Sequence, residues 1–134
     1  MGVSGVLGRF TLIYMVLIIA MGAVLHFLGA GGNSGVNIAI LLVTVFWVCS
    51  AFAKKNGRYF DKSEKTQVVV GLILINITIQ GLFGAAVLIA SGGEISSSVM
   101  LFSVGFVGLL HAVAIYFLVG IVRKMLLKQG VISA

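Results

Sequence analysis

The chain offers few groups for chemistry: two histidines (His26 and His111), three carboxylates (Asp61, Glu64 and Glu94) and a single thiol, Cys49. General acid–base catalysis needs a positioned proton acceptor within reach of its substrate and tuned by its neighbours. The only carboxylates close together in sequence, Asp61 and Glu64, stand three apart, and a helix N-terminal capping box explains both. The histidines fall on different segments and at different depths. A metal site takes three or four ligands converging at about 2 Å, so they do not form one. One cysteine excludes an internal disulfide and a thiolate cluster, and with no histidine nearby Cys49 reads as a buried, inert thiol. Glycine-rich phosphate loops, His-Glu-x-x-His and Gly-x-Ser-x-Gly are all absent. The sequence points away from an enzyme and calls for no cofactor and no metal.

What remains are polar side chains set within long apolar runs, where each costs free energy unless it finds a partner. Asn76 and Gln80 are four apart and share one face of a helix, with Thr78 on another. His111 lies at the middle of a later run, at the depth of Gln80 if the two runs are antiparallel neighbours. We expect His111 to hydrogen-bond Gln80 or Asn76. The plain reading is a tie between helices, worth about 0.6–2 kcal/mol per bond. The sharper reading is a binding pocket or a proton relay, although a relay would want a carboxylate and no run contains one. His26, Asn33 and Asn37 sit near the ends of the first two runs. Together they are candidates to line a shallow polar pocket there, and the plainer reading of His26 is an interfacial side chain reaching for headgroups and water.

The elements that must position these groups are helices. Apolar runs at about 10–28, 35–53, 68–90 and 100–122 contain no Asp, Glu, Lys or Arg. The composition agrees, with 60% hydrophobic and 9% charged residues among 134, against roughly a quarter charged in ordinary soluble chains. Runs of about 19–23 residues suffice to cross a hydrocarbon core of about 30 Å, and lipid offers no partner for an open strand edge. The expected fold is therefore an all-α, integral membrane, antiparallel up-down four-helix transmembrane bundle in a single domain over 1–134, with sequential helices as neighbours.

Charge sets the orientation. All nine basic residues precede the first run, follow the last, or lie in the connection 54–65 as Lys54, Lys55, Arg58, Lys62 and Lys65. The positive-inside rule then puts both termini and this loop in the cytoplasm. The net charge of +6 reads as topology and contact with anionic headgroups, not as nucleic-acid binding. The first run, preceded by Arg9, exceeds the roughly 7–15 residues of a signal-peptide core. We expect it to be retained, which an intact mass of the purified protein checks.

Small residues mark candidate close approaches: Gly81 and Ala85 in the third run, and Gly105, Gly108 and Ala112 in the fourth. Such stripes let backbones approach within a bundle, and a seam between two copies of the chain is the alternative. Trp47 reads as lipid-facing or packing. Gly57 after Lys54-Lys55 reads as a helix C-cap, and the third helix is expected to start near Lys62.

Gly35-Val36-Asn37-Ile38 with the apolar run after it, Phe52-Ala53-Lys54, Gly57-Arg58 and Ser63-Glu64-Lys65 together resemble a family of short, four-span bacterial inner-membrane proteins of uncharacterised function. The likeness covers roughly 33–74. It implies a bacterial inner (cell) membrane and carries over no activity and no functional residue. The expected role is non-enzymatic interaction within the bilayer. One form is an immunity protein against a membrane-targeting or pore-forming toxin, and another is an accessory subunit of a membrane complex. The alternative is a small oligomeric transporter or channel with its polar site at His111, Gln80 and Asn76.

Overall fold

The structure, a computed structural model, describes residues 1–29, 34–90, 92 and 96–133. Asn33 and Glu94 lie outside them. The chain is all-helical, with α1 (Val3–Phe27), α2 (Ser34–Asn56), α3 (Lys62–Ala90) and α4 (Ser97–Lys128) and no strand among the described residues. All four helices are long and apolar enough to cross a membrane. Each overruns its apolar run at the end that carries the basic residues, and α4, at 32 residues, would measure about 48 Å.

Local chemistry sets the ends. The Gly57 N–H donates to the Ala53 carbonyl (2.9 Å) with φ at 65°, a left-handed turn that stops α2 and that a side chain would strain. Asp61 and Glu64 form the reciprocal capping box at the start of α3. The Glu64 N–H donates to Asp61 Oδ1 (2.8 Å) and the Asp61 N–H to Glu64 Oε2 (3.1 Å). Arg58 clasps the same carboxylate with two N–H groups, at 2.6 and 2.9 Å. After α4 the chain turns back through Gly130. The Val131 N–H donates to Leu126 O and the Gly130 N–H to Leu127 O, the two bonds of a Schellman motif, and Ile132 is buried.

The packing order differs from the one expected. α1 packs on α2 and α3, and α4 packs on α2 and α3, while among the described residues α1 does not approach α4 and α2 does not approach α3. The ring therefore runs α1–α2–α4–α3, and the basic connection joins helices that face each other across a diagonal. The reason lies in the connection itself. Tyr59 and Phe60, in the connection between α2 and α3, are buried. The Phe60 ring sits 4.2 Å from that of Phe52 on α2, and the Tyr59 hydroxyl donates to the Val119 carbonyl of α4 at 2.7 Å. The connection thus runs beneath the bundle as an aromatic plug. Burial pushes the pKa of the Tyr59 phenol up, keeping it a proton donor. Of the basic side chains here, Arg58 also lies over the Phe52 ring and Lys65 over that of Tyr116, while Lys54, Lys55 and Lys62 are exposed.

Close approaches run through glycines other than most of those the stripes suggested. A Cβ on Gly71 would meet Leu7 at 2.7 Å, one on Gly108 would meet Ile77 at 3.2 Å, and one on Gly84 would meet Val104 at 3.4 Å. Gly81 and Gly105 face open space within 4 Å. Ala85 and Ala112 are half-buried.

The core is one-sided along the bundle. In α1 the buried residues are Val6, Phe10 and Tyr14, all in its first half. In α4 they run from Gly108 to Leu126. α2 contributes Leu41 through Ala53, and α3 contributes Val68 through Ile79. Beyond this, toward the far ends of α1, α3 and α4, no described residue is buried. Stability should thus depend on the basic end. Gly57→Ala is expected to lower the unfolding midpoint in detergent, at a cost of about 1–2 kcal/mol for a side chain in the left-handed region. Gly8→Ala, which meets nothing within 4 Å, should leave the midpoint unchanged or raise it, as thermal unfolding of the two variants will show.

Candidate functional site

The upper limit of the packed half is a layer of polar side chains, and all four helices contribute to it. The Tyr14 hydroxyl of α1 donates to Asn76 Oδ1 of α3 at 2.9 Å and lies 3.2 Å from Asn37 Oδ1 of α2. A phenol has one proton, so the shorter contact takes it. A half-turn of the Asn37 amide lets its N–H donate to the phenol oxygen in return. Asn76 Nδ2 and Gln80 Nε2 approach the same atom, His111 Nδ1 of α4, at 3.2 and 2.7 Å. Both amide nitrogens are donors, so Nδ1 accepts, and the imidazole is neutral with its proton on Nε2.

Asn76 and His111 are almost wholly buried, at 0% and 1% exposure, as is Tyr14 at 0%. Among the described residues the one fully buried side-chain polar atom without a partner is Ser50 Oγ, which is not in this layer. The layer contains no carboxylate and no cation, and among the described residues no three metal-ligating side chains converge. It can hold helices in register and present hydrogen-bonding groups. It has no acid to pass a proton onward.

The spacing of Asn76 and Gln80 and the depth of His111 placed three members of this layer. Tyr14 and Asn37 were missed as members. Tyr14 carried a signal, because it lies near the middle of α1, where a phenol in hydrocarbon needs an acceptor. His26 is exposed in the last turn of α1, edge-on to Phe27 at 6.3 Å, and takes no part. Cys49 is buried on α2, and Trp47 is exposed.

Directly above the layer lies a cleft of about 470 Å³ that all four helices line. α1 gives Ile18, Met21, Gly22 and Leu25, α2 gives Val36, Asn37 and Ile40, and α3 and α4 give Ile79, Gln80 and Phe83 with Ser103, Val104 and Val107. Its origin is the position of α2. Asn37, within the first turn of that helix, already reaches Tyr14 near the middle of α1. Above the layer α2 has only its first turn left, while α1, α3 and α4 continue for roughly a dozen residues each. Among the described residues the fourth wall of the bundle therefore ends early. Asn37 and Gln80 are the members of the polar layer that reach the cleft, and Ser103 turns its hydroxyl to its own helix, donating to Val99 O at 2.8 Å.

No protein-family model, curated protein or solved structure matches the chain, so these residues must be read on their own geometry. If the layer is a tie, Tyr14→Phe and Asn76→Ala should each destabilise the bundle and fall short of additivity together. The coupling from a double-mutant cycle in detergent should be about 0.6 kcal/mol and at most ~1.7 kcal/mol.

Proposed function

We propose that this is a small, non-enzymatic membrane protein that acts by binding another molecule within the bilayer, through the half of the bundle remote from its basic end. The observation that carries this reading is the one-sided core. One half is packed solid and fastened at its base, and the other opens into a cleft floored by the polar layer. A protein that merely needed to sit in the membrane would gain by packing both halves.

In this reading the helices alternate in direction, with both termini and the 54–65 connection in the cytoplasm of a bacterial cell, at the inner membrane. Several contacts support alternation. The Met1 ammonium donates to Asn56 Oδ1 at 2.6 Å, joining the start of α1 to the end of α2. Gly84 meets Val104 and Met100, joining the end of α3 to the start of α4. Basic residues gathered at one end support the orientation.

Binding is favoured over passage. A carrier or channel with its site at His111, Gln80 and Asn76 needs a path through the lower half, where Phe10, Leu72 and Ile115 are wholly buried. Immunity against a membrane-inserting toxin and docking as an accessory subunit are both binding roles that need no catalysis.

Two measurements test the reading. Cys49 is buried, so cysteines can be added against a silent background. A membrane-impermeant thiol reagent should label Ser98→Cys in intact cells and Lys62→Cys only after permeabilisation, and the reverse pattern rejects the orientation. A photoreactive residue at Phe83, in the cleft, should give discrete adducts in cells. The same residue at Phe117, exposed on α4 beside the packed half, should give only diffuse lipid labelling. Indistinguishable labelling at the two sites rejects a binding role for the cleft.

A further inference from the structure

The contents of the cleft can be argued from its size, its charge and the depth of its polar groups. A transmembrane helix is about 10–12 Å across and rises about 5.4 Å per turn, so each turn fills roughly 400–600 Å³. The cleft, at about 470 Å³, would take one turn at most. It falls within the roughly 300–1,000 Å³ of small-molecule sites, so the occupant is a small molecule and not a helix of another protein.

Its lining excludes a charged occupant. None of the described residues that line it is Asp, Glu, Lys, Arg or His. A carboxylate or phosphate in the cleft would be an unpaired charge in an apolar surround, which costs several kcal/mol or more. The walls are aliphatic and aromatic: Ile18, Met21, Leu25, Phe83 and Val104.

The polar groups lie at the deep end. An ordinary phospholipid entering from the near leaflet would keep its head at the surface and push the end of its acyl chain against Asn37 and Gln80, a poor match. Gln80 is half-buried. Among the described residues its amide bonds only to His111, which uses one N–H. A second N–H and the carbonyl oxygen remain, one donor and one acceptor.

We infer that the cleft is a binding site for a neutral lipophile whose carbonyl or hydroxyl group is carried inside the hydrocarbon region, of the quinone or isoprenoid-alcohol kind, with that group on Gln80 and its chain along α1 and Phe83. This rests on the binding role proposed above and names the class of ligand. His111 acts as a positioning residue, because its Nδ1 fixes the Gln80 amide and so sets which way the free N–H and oxygen face.

The probe is 2-decyl-1,4-benzoquinone, added at fixed mole fraction to the protein in lipid nanodiscs. Thermal unfolding and native mass spectrometry are read together. Ligand that binds only the folded protein raises its unfolding temperature in a saturable way, and the bound quinone should add its mass at one per chain. Oleate, charged, and dodecane, lacking a polar group, should do neither. Gln80→Leu leaves Asn76 on His111 and should weaken quinone binding about tenfold. Gly22→Leu, built where a Cβ meets nothing within 4 Å, fills the cleft and should abolish binding while the protein still unfolds cooperatively.

Equal shifts with oleate or dodecane, or quinone binding that survives both substitutions, would overturn the assignment. If no quinone binds and yet Phe83 gives discrete protein adducts in cells, the ligand class falls and the binding role stands. If Phe83 and Phe117 label alike and no quinone binds, both fall.

Discussion

Asn76 sits halfway along α3 with both ends of its amide engaged, its oxygen by Tyr14 and one of its N–H groups by His111. In water such an arrangement would be one option among many, since solvent can replace either partner. In hydrocarbon no substitute exists, and an amide left open there costs several kcal/mol. That constraint orders the molecule. Once Asn76 is placed, α1 must bring Tyr14 to its level, α4 must bring His111, and neither helix can slide by one turn without stranding a polar group. Apolar packing alone is far more permissive, because the hydrophobic driving force between helices is absent in lipid.

The same layer divides two regimes of packing. Below it the side chains interlock around Phe10, Phe52, Leu72 and Ile115, and the base is closed by polar bonds. Among these are the Met1–Asn56 pair, the Tyr59 hydroxyl on Val119 and the capping box with Arg58. The Arg58–Glu64 ion pair is exposed and adds little by charge alone, because water screens it. Its use is geometric: it holds the connection against the start of α3 while the aromatic residues of that connection turn under the bundle. Above the layer α2 withdraws.

Much of this was legible in the sequence, and the rest was not for identifiable reasons. Hydrophobic runs, basic ends and the Asp61–Glu64 spacing are local signals, and they place four long apolar helices and the cap of the third. The i,i+4 relation of Asn76 and Gln80 is also local, and midpoint counting set His111 beside them. Ring order is not local. It depends on Tyr59 reaching α4 while Phe60 packs on α2, and a loop of five basic residues with two aromatics gives no sign of direction. Asn37 was misplaced for a related reason. It was read as lining a shallow pocket at the end of its apolar run, whereas helix ends need not lie at one level, and α2 sits low enough that its first turn reaches the middle of α1. The glycine stripes misled in part because spacing shows which residues share a face but not what that face meets. Gly105 and Gly108 are one turn apart, yet only Gly108 has Ile77 against it.

The low position of α2 ties the tertiary structure to the site. A four-helix bundle with level ends would bury Gln80 between neighbours and satisfy its whole amide. Here the wall ends within one turn of Asn37, so Gln80 keeps its lower contact to His111 and has an open upper side. Fixing α2 at that height needs two anchors at opposite ends of the helix. Asn56 on Met1 supplies one and Asn37 on Tyr14 the other, and both run from α2 to α1. α1 is thus the ruler against which α2 is set. The cleft above the polar layer follows from that setting and not from any cavity-forming residue of its own.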